Sequence, residues 1–326
     1  MGNGDSDTDP VAAHTDRETY EVTGWEPRTA TDRVAVSLHG LLRRTAGAVL
    51  VLVAALLLVG QLSIIGFAMY RNPTVGLLTA VSVLPAVVLV GAIWYGDATM
   101  REPWTTLAAT FVLAVLFAAF AALANSVLGP VIKGLVPVVG TALYFYLVVA
   151  PIEETVKWLS PRVYAFNTDS FDAVVDGAVY GAVAGLGFAT IENALYITQS
   201  AIQQGSISGP AAIERAIRTA GTRAFVGPGH VIWSAISGYY LGLAKFDSEN
   251  AGPIVVKGLL VAALAHATYN TAVSYLPRVG IELTGLMLLV FVVVYDGIFA
   301  YYLYRKISKY RDAYEASVPD DAATSD

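Results

Sequence analysis

Cysteine is absent from this chain of 326 residues, which excludes disulfides, cysteine-ligated zinc and a thiol nucleophile. Charged residues are also scarce, at 14% of the chain, whereas soluble domains carry about 25%. An excess of basic residues is missing too: the net charge is -6, so we predict that the chain does not bind nucleic acid. A chain with so little charge points to a lipid environment.

Hydrophobic residues make up 56% of the chain, and the mean hydropathy is +0.58. Apolar runs of about 20 residues recur, and each is long enough to cross the hydrocarbon core of a bilayer as a helix. We therefore predict an all-α, polytopic transmembrane helix bundle embedded in a lipid bilayer. Its spans, about eight in number, are 45–69, 74–95, 104–124, 138–164, 173–198, 224–244, 254–275 and 281–304.

The two ends of the chain are polar and acidic. Residues 1–32 carry eight acidic side chains and two basic ones, and residues 312–326 carry five acidic side chains and no basic one. We predict that both ends are disordered, and we expect the first span to be a retained anchor because a long acidic stretch precedes it. The predicted organisation is a tail over 1–44, a transmembrane domain over 45–304 with its motif core at 138–275, and a tail over 305–326.

The lysines and arginines predict the orientation, because cytoplasmic loops are enriched in them. With an even number of spans, both ends lie on one side, and that side collects twelve basic residues from Arg33 onward against six on the other. We therefore expect a multi-pass protein of the cell membrane with both termini cytoplasmic. Residues 199–223 are expected to form an external loop whose charges face water, with a short interfacial helix over 212–223 as the alternative.

Polar groups inside the predicted spans are the best guide to function, because an ionisable side chain at bilayer depth costs at least a few kcal/mol and usually marks a site. Counted along each helix from its nearest charged end, they fall in a band about 10 Å deep near mid-membrane. We therefore predict that they share one pocket. They are Glu153, Glu154 and Lys157; Glu192 and Asn193; His230; and His266 and Asn270.

Lys157 lies four residues after Glu153 and three after Glu154, so an intrahelical ion pair is one interpretation of this segment. One ammonium cannot neutralise both carboxylates, which leaves one suited to act as a general base. Pro151, just upstream, frees backbone groups and is expected to bend the helix.

Two further patterns concern helix geometry. Glycines at a spacing of four predict tight helix packing; they are Gly177, Gly181 and Gly185. The Gly-Pro-Gly sequence at 227–229 predicts a helix start or break that exposes His230 to a polar cavity. For Glu192, His230 and His266 alike, hydrogen bonds that only hold helices together remain an alternative.

Together, these motifs resemble the PrsW family of intramembrane proteases, which is related to the CAAX prenyl protease group. The resemblance covers about residues 138–275. It is carried by EExxK (Glu153, Glu154, Lys157), FxxxEN (Phe188, Glu192, Asn193), a histidine followed by tryptophan (His230, Trp233) and HxxxN (His266, Asn270).

This resemblance implies hydrolysis of a peptide bond in a membrane-anchored protein substrate. By analogy with the CAAX proteases, Glu153 would activate water, with His230 or Glu192 helping to orient it. His266 and Asn270 would form the oxyanion hole. The supporting residues would be Glu154, Lys157 and Asn193. Because Glu192 stands where the CAAX proteases have a histidine, the sequence leaves open which glutamate is the base.

The need for a metal is also open. Two imidazoles and up to three carboxylates could ligate zinc, yet the HExxH pair of many zinc proteases is absent. We favour a mechanism without metal ligands, with zinc as the alternative. Two other functions are compatible with the polar residues: a proton-coupled transporter that uses them as a relay, and a membrane scaffold without enzymatic activity.

Overall fold

The computed structural model describes residues 26–97, 99, 101–136, 139–203 and 209–317. Throughout this part of the chain every regular element is helical, which confirms the all-α class. The chain divides into two compact units, residues 1–53 and 54–326. All the residues of the predicted site belong to the second unit.

The helices follow one another with short connections. They are α1 (Ala30–Arg71), α2 (Pro73–Tyr95), α3 (Trp104–Leu135), α4 (Gly140–Tyr144), a π-helical segment (Phe145–Val149), α5 (Ala150–Val163), α6 (Val174–Ile202), α7 (Pro210–Phe246), α8 (Ala251–Tyr275) and α9 (Gly285–Ser317). Single 3-10 turns lie at Ala165–Asn167 and Leu276–Val279.

Six helices of the described residues are long and apolar enough to cross a membrane: Leu52–Arg71, Pro73–Tyr95, Trp104–Leu135, Val174–Ile202, Ala251–Val279 and Gly285–Ala316. The other two predicted spans, 138–164 and 224–244, are mainly helical over the residues that the structure describes. The first is divided among α4, the π-helical segment and α5, and the second lies within α7, which is rich in small and polar residues. The elements of the first span contain 5, 5 and 14 residues, so none of them is long enough by itself to cross a membrane.

The ends of the described chain are more ordered than their acidity predicts. Helix α1 begins at Ala30, where Asp32 Oδ2 accepts from the Thr29 N–H at 2.7 Å and Thr29 Oγ1 accepts from the Asp32 N–H at 3.2 Å. These two bonds are a capping box. Helix α9 continues to Ser317, so the prediction of disorder is wrong for residues 30–32 and 312–317. The remaining parts of the two predicted tails, at 1–25 and 318–326, lie outside the described residues.

Helix α6 is enclosed by the other helices of the second unit. Its most apolar stretch is 89% buried, whereas the corresponding value for the five other candidate spans is 17% to 33%. A helix surrounded on all sides presents no polar face to water, which explains why small apolar residues occupy most of its positions. Glu192 is therefore carried by the most enclosed helix of the bundle.

The predicted glycine stripe of α6 brings its backbone into direct contact with α7. A Cβ atom at Gly177, Gly181 or Gly185 would collide with a backbone carbonyl oxygen of α7, belonging to Gly238, Ser234 and His230 respectively. The absence of side chains allows this close approach. Because the contact at Gly185 falls on the His230 backbone, the stripe sets the position of His230 beside α6.

Helix α7 differs from the expectation at two places. It runs without interruption through 227–229, so the predicted break is wrong, and His230 is buried at 1% exposure. Pro228 is tolerated because neighbouring helices stabilise the segment. The helix also begins at Pro210, so residues 212–223, for which a short helix was the alternative to a solvated loop, are helical and continuous with the predicted span.

We expect Gly181→Ala to destabilise the bundle, because the added methyl group would collide with the backbone of α7 at Ser234 and Gly238. The matched control is Gly221→Ala in α7, where nothing lies within 4 Å of the added methyl group. That change should be neutral or stabilise by about 1 kcal/mol through helix propensity. Thermal unfolding of the purified protein in micelles measures both, and equal melting temperatures for the two variants would contradict this packing.

Candidate active site

The site begins where helix geometry changes. The π-helical segment Phe145–Val149 leads directly into α5, whose second residue is Pro151. Proline has no N–H to donate to the preceding turn, and single turns of π-helix are frequent at functional sites. Glu153 and Glu154 follow immediately and are 4% and 0% exposed. Both adjacent carboxylates thus point into protein rather than lipid.

Glu154 is held by two partners through one oxygen. Its Oε1 accepts from Lys157 Nζ at 2.6 Å and lies 2.8 Å from His266 Nδ1. Because a carboxylate only accepts, Nδ1 of His266 carries the proton and Nε2 has a free lone pair. The predicted intrahelical ion pair is therefore present, and it also fixes the tautomer of a histidine on α8.

His230 is engaged through both ring nitrogens. Its Nδ1 lies 2.8 Å from Lys157 Nζ, and its Nε2 lies 2.9 Å from Glu192 Oε2. The ammonium of Lys157 can only donate, so Nδ1 accepts and the Nε2–H donates to Glu192. His230 is thereby neutral, with its proton on Nε2.

Glu192 has a cationic partner that was not predicted. Arg223 Nη2 donates to Glu192 Oε2 at 2.5 Å, and Arg223 Nε donates to Asn193 Oδ1 at 2.8 Å. The side chain of Asn193 also donates to Ser82 Oγ at 3.1 Å. Asn193 therefore positions Arg223 and is connected to the Glu192 carboxylate through that arginine.

Glu153 is the carboxylate without a cationic partner. Asn125 Nδ2 donates to its Oε1 at 2.8 Å, and the backbone carbonyl of Asn125 accepts from the Tyr144 hydroxyl at 3.0 Å. The other oxygen, Oε2, is buried without a hydrogen-bond partner among the described residues. It faces His266 Nε2 across 3.8 Å, which is beyond the range of a direct hydrogen bond.

Aromatic rings keep the polar groups in place. Trp233 stacks on the His266 ring, with ring centroids 4.9 Å apart and an interplanar angle of 22°. Phe188 packs against the His230 ring and lies 4.5 Å from Lys157 Nζ. These contacts restrict the rotation of both imidazoles, so the hydrogen-bond directions described above are well defined.

A cavity of about 200 Å³ reaches this cluster from between α3 and α6. Glu153, Glu192 and Asn125 lie on its wall, and the exposed residues Tyr196 and Gln199 also line it. Its volume suffices for several water molecules. The free oxygen of Glu153 therefore belongs to a group that borders accessible space.

The structure brings together most of the predicted residues. Hydrogen bonds or contacts below 4 Å connect Glu153, Glu154, Lys157, Glu192, His230 and His266. Asn193 adjoins them through Arg223. Asn270 is half-buried on α8, and the structure contains no hydrogen bond between it and any described residue.

Sequence reasoning missed two residues of the cluster. Arg223 precedes His230 by seven positions, so both lie on one face of α7, and this spacing could have identified it. Asn125 offered no comparable pattern, because its partner Glu153 lies on a different helix. With both included, the cluster contains the carboxylates of three glutamates and the cations of Lys157 and Arg223, which leaves one negative charge uncompensated.

Residues 102–298 match the family described as "PrsW family intramembrane metalloprotease". The chain belongs to this family. The matched region contains every residue of the cluster. Membership makes the chain a membrane-bound peptidase, that is, a hydrolase, and it does not favour the alternative of a transporter.

Curated relatives agree with this assignment. "Protease PrsW" of Geobacillus kaustophilus is 29% identical over 193 residues, which is 59% of this chain and 78% of the relative. The protein of the same name from Bacillus subtilis is 32% identical over 120 residues, which is 36% of this chain and 49% of the relative. The one from Clostridioides difficile is 26% identical over 190 residues, 56% of this chain and 74% of the relative. No solved structure matches the chain.

The family description includes a metal, and three side chains of the cluster carry donor atoms of the kind that zinc binds. Glu153, His230 and His266 each offer an atom, and these atoms lie within 4.8 Å of one another. Two imidazoles and one carboxylate are a ligand set of catalytic zinc sites. Glu153 Oε2 and His266 Nε2 are free to ligate, but both nitrogens of His230 already bind Lys157 and Glu192. The three residues are therefore of the types that bind zinc and lie close enough together to do so. His230, however, is not available as a ligand while it keeps its hydrogen bonds with Lys157 and Glu192.

We expect Lys157→Met to destabilise the protein by about 3–5 kcal/mol, because it leaves the Glu154 carboxylate buried without its cation. Adding Glu154→Gln should restore much of the loss. The matched control is Arg218→Met, which breaks the exposed pair with Glu214 and should cost no more than about 1 kcal/mol. Unfolding in mixed micelles measures these differences. A Lys157→Met variant as stable as the Arg218→Met variant would contradict the role given to Lys157.

Proposed function

We propose that this chain is an intramembrane endopeptidase that hydrolyses a peptide bond of a membrane-anchored protein, using a water molecule deprotonated by Glu153. The observation that supports this proposal best is the free oxygen of Glu153. That oxygen is buried, has no partner among the described residues and faces the unprotonated nitrogen of His266. Glu154 and Glu192 are each held by a cation, so neither is as free to accept a proton.

The gap between Glu153 Oε2 and His266 Nε2 suits one water molecule. Both atoms are acceptors, so a water bound to both would donate its two hydrogens to them. With the two acceptors 3.8 Å apart and hydrogen bonds of about 2.8 Å, the angle at the water oxygen is roughly 85°. This angle is somewhat below the H–O–H angle of water. The lone pairs of the water oxygen would then face outward, toward a substrate carbonyl.

The proposed reaction has two proton transfers. Glu153 takes a proton from the water while the water oxygen attacks the carbonyl carbon. This attack forms a C–O bond and places negative charge on the carbonyl oxygen. When the C–N bond breaks, the Glu153 carboxyl group gives the proton to the departing amine. The products are a new carboxyl end and a new amino end, and Glu153 returns to its ionised form.

The surrounding residues would keep this arrangement in place. Glu154 holds the proton of His266 on Nδ1, which keeps Nε2 available to the water. Lys157 compensates the charge of Glu154, and it joins Glu192 in orienting the ring of His230.

Asn270 remains the predicted donor to the oxyanion. Because Nε2 of His266 carries no proton, His266 would orient the water instead of contributing to an oxyanion hole as the resemblance implies. The Asn270 amide, one turn further along α8, would then have to stabilise the oxyanion by itself.

We further propose that the substrate enters between α3 and α6, because the cavity that borders Glu153 opens there and is lined by both helices. A peptide must be extended there for its carbonyl to be attacked, since a helix shields its backbone. We propose a multi-pass protein of the cell membrane with cytoplasmic termini, on the basis of the distribution of lysine and arginine.

We expect Glu153→Gln to lower the cleavage rate by about 10²- to 10⁴-fold, the usual contribution of a general base. Glutamine keeps the acceptor for Asn125, so the melting temperature should not fall. The control is Glu214→Gln, an exposed glutamate of α7. Mass spectrometry of new N-termini in membrane proteins, from cells expressing each variant, measures cleavage without a known substrate. Wild-type cleavage by Glu153→Gln would refute the proposal.

A metal-dependent reaction makes a different prediction. A zinc ion held by Glu153, His230 and His266 would polarise the carbonyl and lower the pKa of a bound water. Our proposal predicts that active, purified protein contains no stoichiometric zinc and stays active after treatment with a zinc-selective chelator. Elemental analysis of the protein before and after chelation measures this, and one zinc per chain, lost together with activity, would contradict it.

A further inference from the structure

A second group of acidic side chains lies at another end of the bundle, away from the candidate active site. Asp97 follows α2, Glu102 precedes α3, and Asp176 lies in the first turn of α6. One carboxylate oxygen from each lies within 4.8 Å of the others. Asp176 precedes Glu192 by 16 positions on the same helix, a separation of roughly 24 Å, so this acidic site is distinct from the active site.

Glu102 is a buried carboxylate without a partner. It is 3% exposed, and both of its oxygens lack a hydrogen-bond partner among the described residues, as does Oδ2 of Asp97. A buried carboxylate that is neither hydrogen-bonded nor paired is costly. Because Glu102 contributes an oxygen to the group of three, its unsatisfied carboxylate is directed at the space that they share.

Nearby cations make their direct contacts with groups other than these carboxylates. In the part of the chain that the structure describes, none of the three forms an ion pair with lysine or arginine. The guanidinium of Arg101 lies over the Trp94 and Tyr95 rings, and Lys245 Nζ donates to the Phe166 carbonyl. The three carboxyl groups are therefore not neutralised by direct ion pairs with any lysine or arginine among the described residues.

The remaining oxygens of the group are fixed by hydrogen bonds. Asp97 Oδ1 accepts from the N–H and the hydroxyl of Thr99, at 2.8 Å and 2.7 Å. Asp176 Oδ2 accepts from the backbone N–H groups of Asp172 and Ala173, at 2.7 Å and 2.8 Å. These bonds hold Asp97 and Asp176 in place around Glu102 without neutralising them. The arrangement is preorganised for a positively charged ligand.

We propose that Asp97, Glu102 and Asp176 bind a hard divalent cation, Ca²⁺ or Mg²⁺. All available donors are carboxylate oxygens, which these ions prefer and softer metals do not. The spacing within 4.8 Å suits Ca²⁺, whose opposite oxygen ligands lie about 4.6–5.2 Å apart. Asp97 is only half-buried, which gives the ion a path from water and leaves room for water ligands.

The bound ion would join the connection between α2 and α3 to the start of α6. Helix α6 carries Glu192 and packs against α7 through its glycines. The ion would therefore stabilise the end of the bundle on which the position of α6 depends, without contacting the groups that perform hydrolysis.

The test is calorimetric titration of the full chain, stripped of metal with EDTA, with CaCl₂ and separately with MgCl₂. Wild type should bind one ion, and the ion that binds more tightly identifies the preferred cation. Glu102→Gln and Asp97→Asn should each weaken binding at least tenfold. Asp169→Asn removes an exposed charge from the same region, and Glu153→Gln alters the active site; both should bind as wild type does.

Thermal unfolding provides a second readout, which distinguishes the loss of a cation ligand from a general loss of folding in a variant. Without cation, Glu102→Gln should melt no lower than wild type, because it replaces a buried carboxyl group whose oxygens have no hydrogen-bond partner among the described residues. With cation, wild type should melt at a higher temperature and Glu102→Gln should not respond. The absence of any Ca²⁺ or Mg²⁺ binding by wild type, or binding that survives both Glu102→Gln and Asp97→Asn, would overturn the proposal.

Discussion

The candidate active site depends on the ammonium group of Lys157. It contacts Glu154 on its own helix and His230 on α7, and Glu154 in turn holds His266 on α8. Charges buried among apolar helices are tolerated only when they are paired and hydrogen-bonded. One cation therefore fixes the protonation of two imidazoles from different helices, and it leaves Glu153 as the carboxylate that no cation holds.

Helix packing determines whether these contacts form. The glycines of α6 bring its backbone against that of α7, and the contact at Gly185 falls on His230 itself. Glu192 lies two turns beyond this contact on α6, while the first turn of the helix carries Asp176 and the proposed cation site. Enclosure of α6 thus connects the two acidic clusters through one rigid element. This explains how an intramembrane site can hold so many polar side chains in fixed positions relative to one another.

Much of this arrangement is predictable from sequence because the membrane penalises ionisable groups at depth. Glu153, Glu154, Glu192, His230 and His266 stand out in apolar runs, and helical rise places them at similar depth. Arg223 was missed although its spacing of seven residues from His230 places both on one face of α7, whereas Asn125 gave no such signal because its partner Glu153 lies on another helix. The break predicted at 227–229 was wrong because packing against α6 outweighs the local tendency of Gly-Pro-Gly to end a helix. Local sequence could not reveal that enclosure.

The central claim is that Glu153 and His266 hold a water molecule between them. A high-resolution structure of the wild-type protein in lipid, with anomalous scattering recorded at the zinc edge, tests it most directly. The account predicts a water within about 3 Å of both Glu153 Oε2 and His266 Nε2, with His230 still bound to Lys157 and Glu192. An anomalous peak about 2 Å from Glu153, His230 and His266, with Lys157 displaced from His230, would contradict it.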